Sequence, residues 1–229
     1  MENSITIKMK TLSNLFIGGA PVPFKIGGID QQTATDQEGF PCIPASSLKG
    51  ALRAVIREDD SAMAVEINRL FTEYLINEKE KNWPEIQTII NDKEALKRIE
   101  ERYLEAANEV SPEYLFGIKG FNNTPKLLFG DLLLCSEFRD KKTCFSIDMK
   151  NTIDTRGNAP ESKPRTYQTA RSGIVFEGEI RLYKMEKLGD QAGELCKEYL
   201  IYNLKKFNEG IYRLGNFKNR GYGRGGSFL

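Results

Sequence analysis

The chain has no histidine among its 229 residues. This absence excludes catalytic schemes that use an imidazole as general base or nucleophile, and it disfavours a zinc site of the usual cysteine–histidine kind. The four cysteines are too widely spaced for a C-x-x-C metal knuckle; they are Cys42, Cys135, Cys144 and Cys196. Four unpaired thiols are typical of a reducing compartment, which predicts a cytoplasmic protein.

Long apolar runs are also lacking. No segment approaches the roughly 20 apolar residues of a membrane span, and the first residues show no secretory signal, so no membrane partner is expected. Apolar residues make up 40% of the chain and charged residues 28%, which is ordinary for a globular protein. The length suits one domain over residues 1–229 that carries a large insertion.

Acidic and basic side chains are nearly equal in number, but they are unevenly distributed along the chain. The net charge of the whole chain is +1. Residues 58–109 contain 14 acidic and 7 basic side chains, a net charge of −7, whereas the remainder has 18 acidic and 26 basic, a net charge of +8. This asymmetry predicts a core that holds nucleic acid and a helical insertion over residues 58–112. The insertion is either a docking element or simply a solvated helical hairpin.

Apolar periodicity predicts a mixed architecture. Alternation predicts strands near residues 5–12 and 174–183, and a continuous apolar run predicts a buried strand at 126–135. Spacings of three and four residues predict helices over residues 44–57, within 58–110 with an interruption at Pro84, and over 190–208. This order fits an α+β, ferredoxin-like (RRM-like) fold.

The segment 214–226 has the composition of an RNA-binding loop. It places five glycines among three cations and two aromatic residues within thirteen positions. Glycine lets a backbone approach a phosphate, cations neutralise phosphate charge, and Phe or Tyr can stack on a base. The same composition also suits a flexible terminal tail, so this pattern alone leaves both interpretations open.

The helix predicted over residues 44–57 has a basic stripe. Lys49, Arg53 and Arg57 recur at four-residue steps, and Ser46 or Ser47 can cap the first turn. A capped helix N-terminus beside cations suits a phosphate, although an ordinary solvated helix face is the commoner case. A glycine inside this helix, at position 50, favours close approach by another chain.

These segments resemble the RAMP superfamily, the RNA-binding subunits of CRISPR systems. Residues 43–53 resemble its signature helix, and the glycine-rich run resembles its C-terminal loop. Residues 150–159, with 165–167 and 173–177, are similar to the β-hairpin thumb of type III effector backbone subunits, which places a thumb at 148–172. The resemblance implies a RAMP fold and a set of RNA-binding residues. That set is Ser46, Ser47, Lys49, Arg53, Lys150, Thr152, Arg165, Lys218, Arg220, Tyr222 and Arg224.

Two carboxylates lie in the loop before the signature helix. In backbone subunits that cut, the resemblance implies that an aspartate here is required for cleavage of target RNA; Asp30 takes that position and Asp36 that of a second loop aspartate. Asp30 would then be the catalytic residue and a ligand of Mg²⁺ or another divalent cation. Both aspartates can equally be turn residues, as is usual in glycine-rich loops.

The resemblance implies a guide-RNA-binding backbone subunit of a type III CRISPR ribonucleoprotein, a metal-dependent endoribonuclease acting within its complex. Its partners would be guide RNA, target RNA, other effector subunits and further copies of itself along the guide. A non-catalytic RNA-binding capping subunit with the same fold is the main alternative. A standalone precursor-RNA endoribonuclease is a third, although those enzymes often use histidine.

Overall fold

The computed structural model describes residues 3–19, 28–154 and 161–226. Its elements, in chain order, are β1 (Ser4–Thr11), β2 (Gln31–Gln32), β3 (Cys42–Ile43), α1 (Ala45–Arg57), α2 (Ala62–Ile89), α3 (Lys93–Asn108), β4 (Lys126–Phe129), β5 (Leu132–Leu134), β6 (Phe145–Asp154), β7 (Glu161–Ala170), β8 (Val175–Tyr183), α4 (Ala192–Lys205) and β9 (Gly225–Gly226). The predicted α+β class is confirmed. The ferredoxin-like strand order stays a prediction.

Two sheets form. The larger has the strand order β3-β5-β8-β1-β9, with β4 also paired to β8. In β1, every second side chain is buried, because alternate residues of a strand point to opposite faces. The smaller sheet has the order β2-β7-β6, in which β2 runs parallel to β7 and β6 antiparallel to it.

The chain divides into two compact units, each built from three segments. The helical unit comprises Met1–Ile5, Leu52–Leu128 and Ile180–Asn203, and the hairpin unit comprises Thr6–Ala51, Phe129–Glu179 and Leu204–Leu229. The prediction of a single domain over residues 1–229 stays a prediction.

The helical unit contains the predicted insertion as two helices, α2 and α3. The N-terminus of α2 is capped by Ser61, whose Oγ accepts from the amide of Ala64. The expected interruption at Pro84 is wrong, since α2 continues to Ile89. Proline removes one helical hydrogen bond, and packing of α2 against α3 outweighs that loss. The buried face of α2 consists of Ala64, Ile67, Leu70, Phe71, Tyr74 and Leu75.

The hairpin unit contains the antiparallel pair β6–β7 at the position where the sequence predicts a thumb, and the thumb role stays a prediction. Its register runs from Phe145 opposite Ala170 to Asp154 opposite Glu161. The connecting residues 155–160 lie outside the described part of the chain. The glycine-rich run 214–226 belongs to the same unit and ends in β9, which pairs with β1.

Candidate nucleic-acid interface

The glycine-rich run is an ordered loop that packs on residues 12–16, which argues against a flexible tail. The amide of Leu214 donates to the carbonyl of Gly223 at 2.9 Å and closes the loop. The amide of Gly223 donates to Asn14 at 3.0 Å. The amide of Asn216 donates to the carbonyl of Phe16 at 2.7 Å. These backbone bonds fix the course of the loop.

Two of the glycines are required by this packing. Gly215 has φ +73°, and a Cβ there would lie 2.3 Å from the carbonyl oxygen of Phe16. Gly223 also has φ +73°, and a Cβ there would lie 1.8 Å from the carbonyl oxygen of Leu214. Any other residue would clash at both positions and would adopt a strained backbone. The composition that suggested phosphate approach is thus explained, at these two positions, by the folding of the loop itself.

A carboxylate joins the loop to the base of the hairpin. Tyr222 of the loop donates its hydroxyl to Asp148 of β6 at 2.8 Å. Asn14 donates to both carboxylate oxygens at 3.2 and 3.3 Å, Thr169 donates at 3.2 Å and Ser146 at 3.3 Å. Four donors around one half-buried carboxylate form a network that holds the hairpin and the loop together.

The network changes the ionisation of both partners. Burial of Asp148 raises its pKa, but the hydrogen bonds from Tyr222, Asn14, Thr169 and Ser146 outweigh burial and hold the pKa below its usual value. Burial and the hydrogen bond to this carboxylate raise the pKa of Tyr222 to about 12. Asp148 is therefore ionised, and Tyr222 is a neutral donor, throughout the physiological range.

Lys150 lies in a cage of aromatic rings beside this network. Its Nζ is 3.6 Å from the ring centroid of Phe217, 3.7 Å from that of Tyr222 and 5.2 Å from that of Tyr167. The Nζ is buried and has no hydrogen-bond acceptor among the described residues. Burial, and secondarily the nearby Arg220 cation, lowers the pKa of Lys150. The two loop aromatics expected to stack on a base are thus covered by a lysine.

Packing fixes the orientation of this cage. Phe217 stacks on Phe16 with ring centroids 5.4 Å apart and planes 16° from parallel. Tyr167 contacts Phe217 edge-on at 5.2 Å. Phe217 itself has φ +58°, a left-handed conformation, and its ring lies against Tyr167 of the hairpin. Phe16, Tyr167 and Asp148, which hold the two loop aromatics in place, were not identified from the sequence, because only folding brings them to the loop.

Four predicted RNA-binding cations lie exposed on the same unit. Arg165 is opposite Lys150 in the hairpin register, so both side chains project from the same face of the sheet. Arg220 approaches the ring of Phe217 at 5.6 Å. Lys218 and Arg224 are exposed loop residues, and none of the four forms an ion pair with the described part of the chain. The side chain of Thr152 lies outside the described residues.

The N-terminus of α1 is capped differently from the expectation. The amide of Ala45 donates to the carboxylate of Asp131 at 2.7 Å, so this acid occupies part of the site that the sequence assigns to a phosphate. Ser46 and Ser47 lie inside the first turn, and Ser46 is exposed. Gly50 is exposed, and a Cβ there would have open space within 4 Å.

The basic stripe of α1 is partly neutralised in the helical unit. Arg57 donates two hydrogen bonds to Glu113, at 2.9 and 3.2 Å, and Arg53 lies 3.4 Å from the same carboxylate. The Arg53 guanidinium also lies 5.1 Å from the ring centroid of Phe116. The remaining residue of the stripe, Lys49, is half-buried on the part of α1 in the hairpin unit.

The two loop aspartates have different environments. Asp30 is exposed, its amide donates to the carbonyl of Thr166 at 3.0 Å, and its Oδ2 accepts from the amide of Thr166 at 2.6 Å. Asp36 is a turn residue: its Oδ1 accepts from the amides of Glu38 and Phe40, and its Oδ2 pairs with Arg139 at 2.9 Å. Of these two aspartates, Asp30 alone has a carboxylate oxygen, Oδ1, without a hydrogen-bond or ion-pair partner among the described residues.

The predicted Mg²⁺ site can be tested against these groups. The described residues contain no cluster of three side chains able to hold a metal ion. Mg²⁺ is commonly bound through one or two carboxylates with water and substrate phosphates completing its ligands. Asp30 fits one such ligand position, so the described residues fit an ion whose other ligands are water and RNA.

Comparison with known proteins identifies the family. The sequence model of the RAMP superfamily matches residues 8–225, which confirms the predicted family. The fold resembles a chain of the type III-B Cmr-β complex bound to cognate target RNA, with a TM-score of 0.56 and 16% identity over 99% of this chain and 58% of that one. This chain therefore spans less than two thirds of that protein.

Two further structures match over nearly the full length of both chains. Cmr6 from Pyrococcus furiosus is 19% identical over 98% of this chain and 97% of its own, with a TM-score of 0.45. A chain of the apo type III-B Cmr-β complex is 12% identical over 99% and 96%, with a TM-score of 0.48. No curated protein matches by sequence. No helix in the described part of the chain is long and apolar enough to cross a membrane. On the match over residues 8–225, the chain belongs to the RAMP superfamily.

Proposed function

We propose that this chain is an RNA-binding backbone subunit of a type III CRISPR ribonucleoprotein. One observation carries the proposal: the glycine-rich loop is folded onto the base of the hairpin around Asp148 and Lys150. This arrangement places Arg165, Lys218 and Arg220 as exposed cations on one unit. Ordered loops with exposed cations suit the phosphate backbone of RNA.

The guide RNA would be held by its backbone and its shape. Contacts from arginine and lysine to phosphates carry no sequence information, so base pairing between guide and target would supply specificity. The hairpin β6–β7 would act as the thumb that enters the guide–target duplex. The resemblance of the fold to a chain from a complex bound to cognate target RNA supports this assignment. Other effector subunits and further copies of this chain along the guide are the proposed protein partners.

Asp30 is the proposed cleavage residue. The hydrogen bond from Thr166 holds its Oδ2 against β7, and its Oδ1 is left to accept from RNA or to bind a cation. A divalent cation shared with the RNA would stabilise negative charge on the scissile phosphate. The protein's own contribution would be to fix this carboxylate relative to the hairpin, and so relative to the nucleotide beside it.

A non-catalytic capping subunit is the second candidate. The observation behind it is that, among the described residues, Asp30 belongs to no group of three side chains able to hold a metal ion. Such a subunit would bind guide RNA through the same loop and hairpin and would not cut. Binding and cleavage assays on the assembled complex separate the two candidates.

The RNA that copurifies with the chain from its native host tests the proposal. We expect fragments of guide length that are protected in register with a fixed step. A backbone role is contradicted if the isolated chain and its complex carry no RNA above the level recovered with an unrelated control protein.

A further inference from the structure

We infer that Phe217 and Tyr222 form a nucleobase-stacking site that Lys150 covers until RNA binds. The inference rests on the proposed RNA-binding function and adds a specific event to it. A base would replace the ammonium group, stacked on one ring and against the edge of the other, and the released ammonium would pair with a phosphate of the same RNA. The ligand class is a single-stranded nucleobase with its neighbouring phosphate.

The two rings are held in place by other residues, with centroids 5.9 Å apart and planes 67° from parallel, so a base stacked on one ring would meet the other at its edge. Phe217 is fixed by stacking on Phe16 at 5.4 Å and by the edge of Tyr167 at 5.2 Å. Tyr222 is fixed by its hydrogen bond to Asp148 at 2.8 Å. Both rings are half-buried and stay in place without Lys150, because none of these contacts involves it. Base–aromatic stacking tolerates any sequence, as a subunit that repeats along a guide requires.

The covering lysine is held weakly enough to leave. Its Nζ contacts two ring faces at 3.6 and 3.7 Å, which is favourable for a cation. Against this, its three N–H donors are buried with no acceptor among the described residues. Arg220 adds repulsion, which is larger than the attraction of the Asp148 carboxylate. A phosphate would satisfy the donors that the cage leaves unsatisfied, so RNA offers both a base for the rings and an acceptor for the ammonium.

NMR of the lysine side chains in the full chain detects directly whether RNA displaces Lys150 from the aromatic rings. In protein labelled with ¹³C-lysine, the ε-methylene signal of Lys150 lies upfield because of the two rings, and its loss in Lys150→Arg assigns it. Adding short single-stranded RNA of mixed sequence should move it to the position of exposed lysines. Lys141, whose Nζ lies 5.4 Å from the ring of Phe40, is the internal control and should stay in place.

A binding assay adds a second readout. One abasic nucleotide, scanned through the RNA, should weaken binding about tenfold at one position, or about 1.4 kcal/mol. Phe217→Leu should abolish that position dependence, whereas Phe40→Leu should preserve it. RNA that binds while the Lys150 signal stays upfield would overturn this inference and leave the proposed function intact. Failure of the chain to bind any RNA would contradict the proposed function as well.

Discussion

The carboxylate of Asp30 accepts a 2.6 Å hydrogen bond from the backbone amide of Thr166, which ties it to strand β7 of the hairpin. If the hairpin enters the guide–target duplex as proposed, this link would hold Asp30 at a constant distance from the nucleotide beside the hairpin. The link also makes the role of Asp30 testable, because an amide oxygen can accept the same hydrogen bond.

We expect Asp30→Asn to abolish cutting at the site of this subunit in the assembled complex, with target RNA bound normally. Asparagine keeps the bond from Thr166 but loses the negative charge that a cation requires. Chelation of divalent cations should have the same effect. The measurement is a cleavage assay on labelled target RNA, beside a filter-binding assay.

Asp36→Asn is the matched control for that experiment. It should still cut, but it weakens the pair with Arg139 and should destabilise the fold by about 1 kcal/mol. Unchanged cleavage by the complex with Asp30→Asn would show that Asp30 does not cut and would leave the non-catalytic subunit as the better candidate. Loss of cleavage in Asp36→Asn alone, in a protein that remains folded, would show that the two aspartates are assigned the wrong way round.

The stability of the hairpin unit should depend on the ionisation of Asp148. The folded state holds the pKa of this carboxyl below its unfolded value, so its stabilising effect is present above about pH 4 and is lost as the pH falls through the folded pKa. Tyr222→Phe removes one donor and should cost about 1–2 kcal/mol at neutral pH. It should also move the acid transition to higher pH.

Thermal unfolding measured between pH 3 and 7 tests this point. Asp148→Asn is the reference, since it removes the titrating group and keeps much of the shape. The difference in Tm between the wild type and this variant should shrink as the pH falls. A difference that is constant with pH would show that the charge of Asp148 does not stabilise the contact.

Replacing Gly50 by alanine should separate stability from RNA binding. A Cβ at this exposed position of α1 meets nothing, so alanine should stabilise the helix by up to about 1 kcal/mol. If the RNA backbone approaches here, the same methyl group should weaken binding. Gly193→Ala in α4 is the control, because its Cβ also has open space and it should stabilise without changing affinity. Unchanged RNA affinity in Gly50→Ala would remove this helix face from the interface.

Much of α1 could be predicted from sequence, whereas its partners could not. Leu48, Leu52, Val55 and Ile56 recur at helical spacing, and all four are fully buried. The cap from Asp131 to Ala45 joins residues 86 positions apart, and no local pattern encodes such a contact. The same holds for Lys150, whose spacing gives no sign that it faces the loop aromatics rather than solvent.

The insertion also differs from its sequence-based description. Its acidic character suggested a peripheral element, but Ile67 and Phe71 are fully buried and Phe71 packs edge-on against Tyr114 at 5.9 Å. Wholesale removal of residues 58–112 would therefore remove much of the core of the helical unit. Because residues 58–109 carry a net charge of −7, we predict that the insertion does not contact RNA, and substitutions of exposed residues test this without removing the core.

Neutralising two exposed acids of the insertion provides that test. Glu85→Gln with Glu105→Gln changes charge without touching the buried face of α2 or α3. RNA affinity should change by less than about twofold, since charges that lie beyond a Debye length of the RNA are largely screened. A tenfold change at physiological salt would place the insertion at the RNA.

The salt dependence of RNA affinity tests the central claim, that the glycine-rich loop at the base of the hairpin binds RNA. The test variant carries Lys218→Ala, Arg220→Ala and Arg224→Ala, which leave Gly215 and Gly223 and the fold of the loop intact. Each lost phosphate contact lowers the slope of log affinity against log salt by about 0.7 for single strands. Loss of three contacts predicts weaker binding to unrelated sequences and a slope smaller by about 2. A folded variant with unchanged affinity and slope would contradict the assignment.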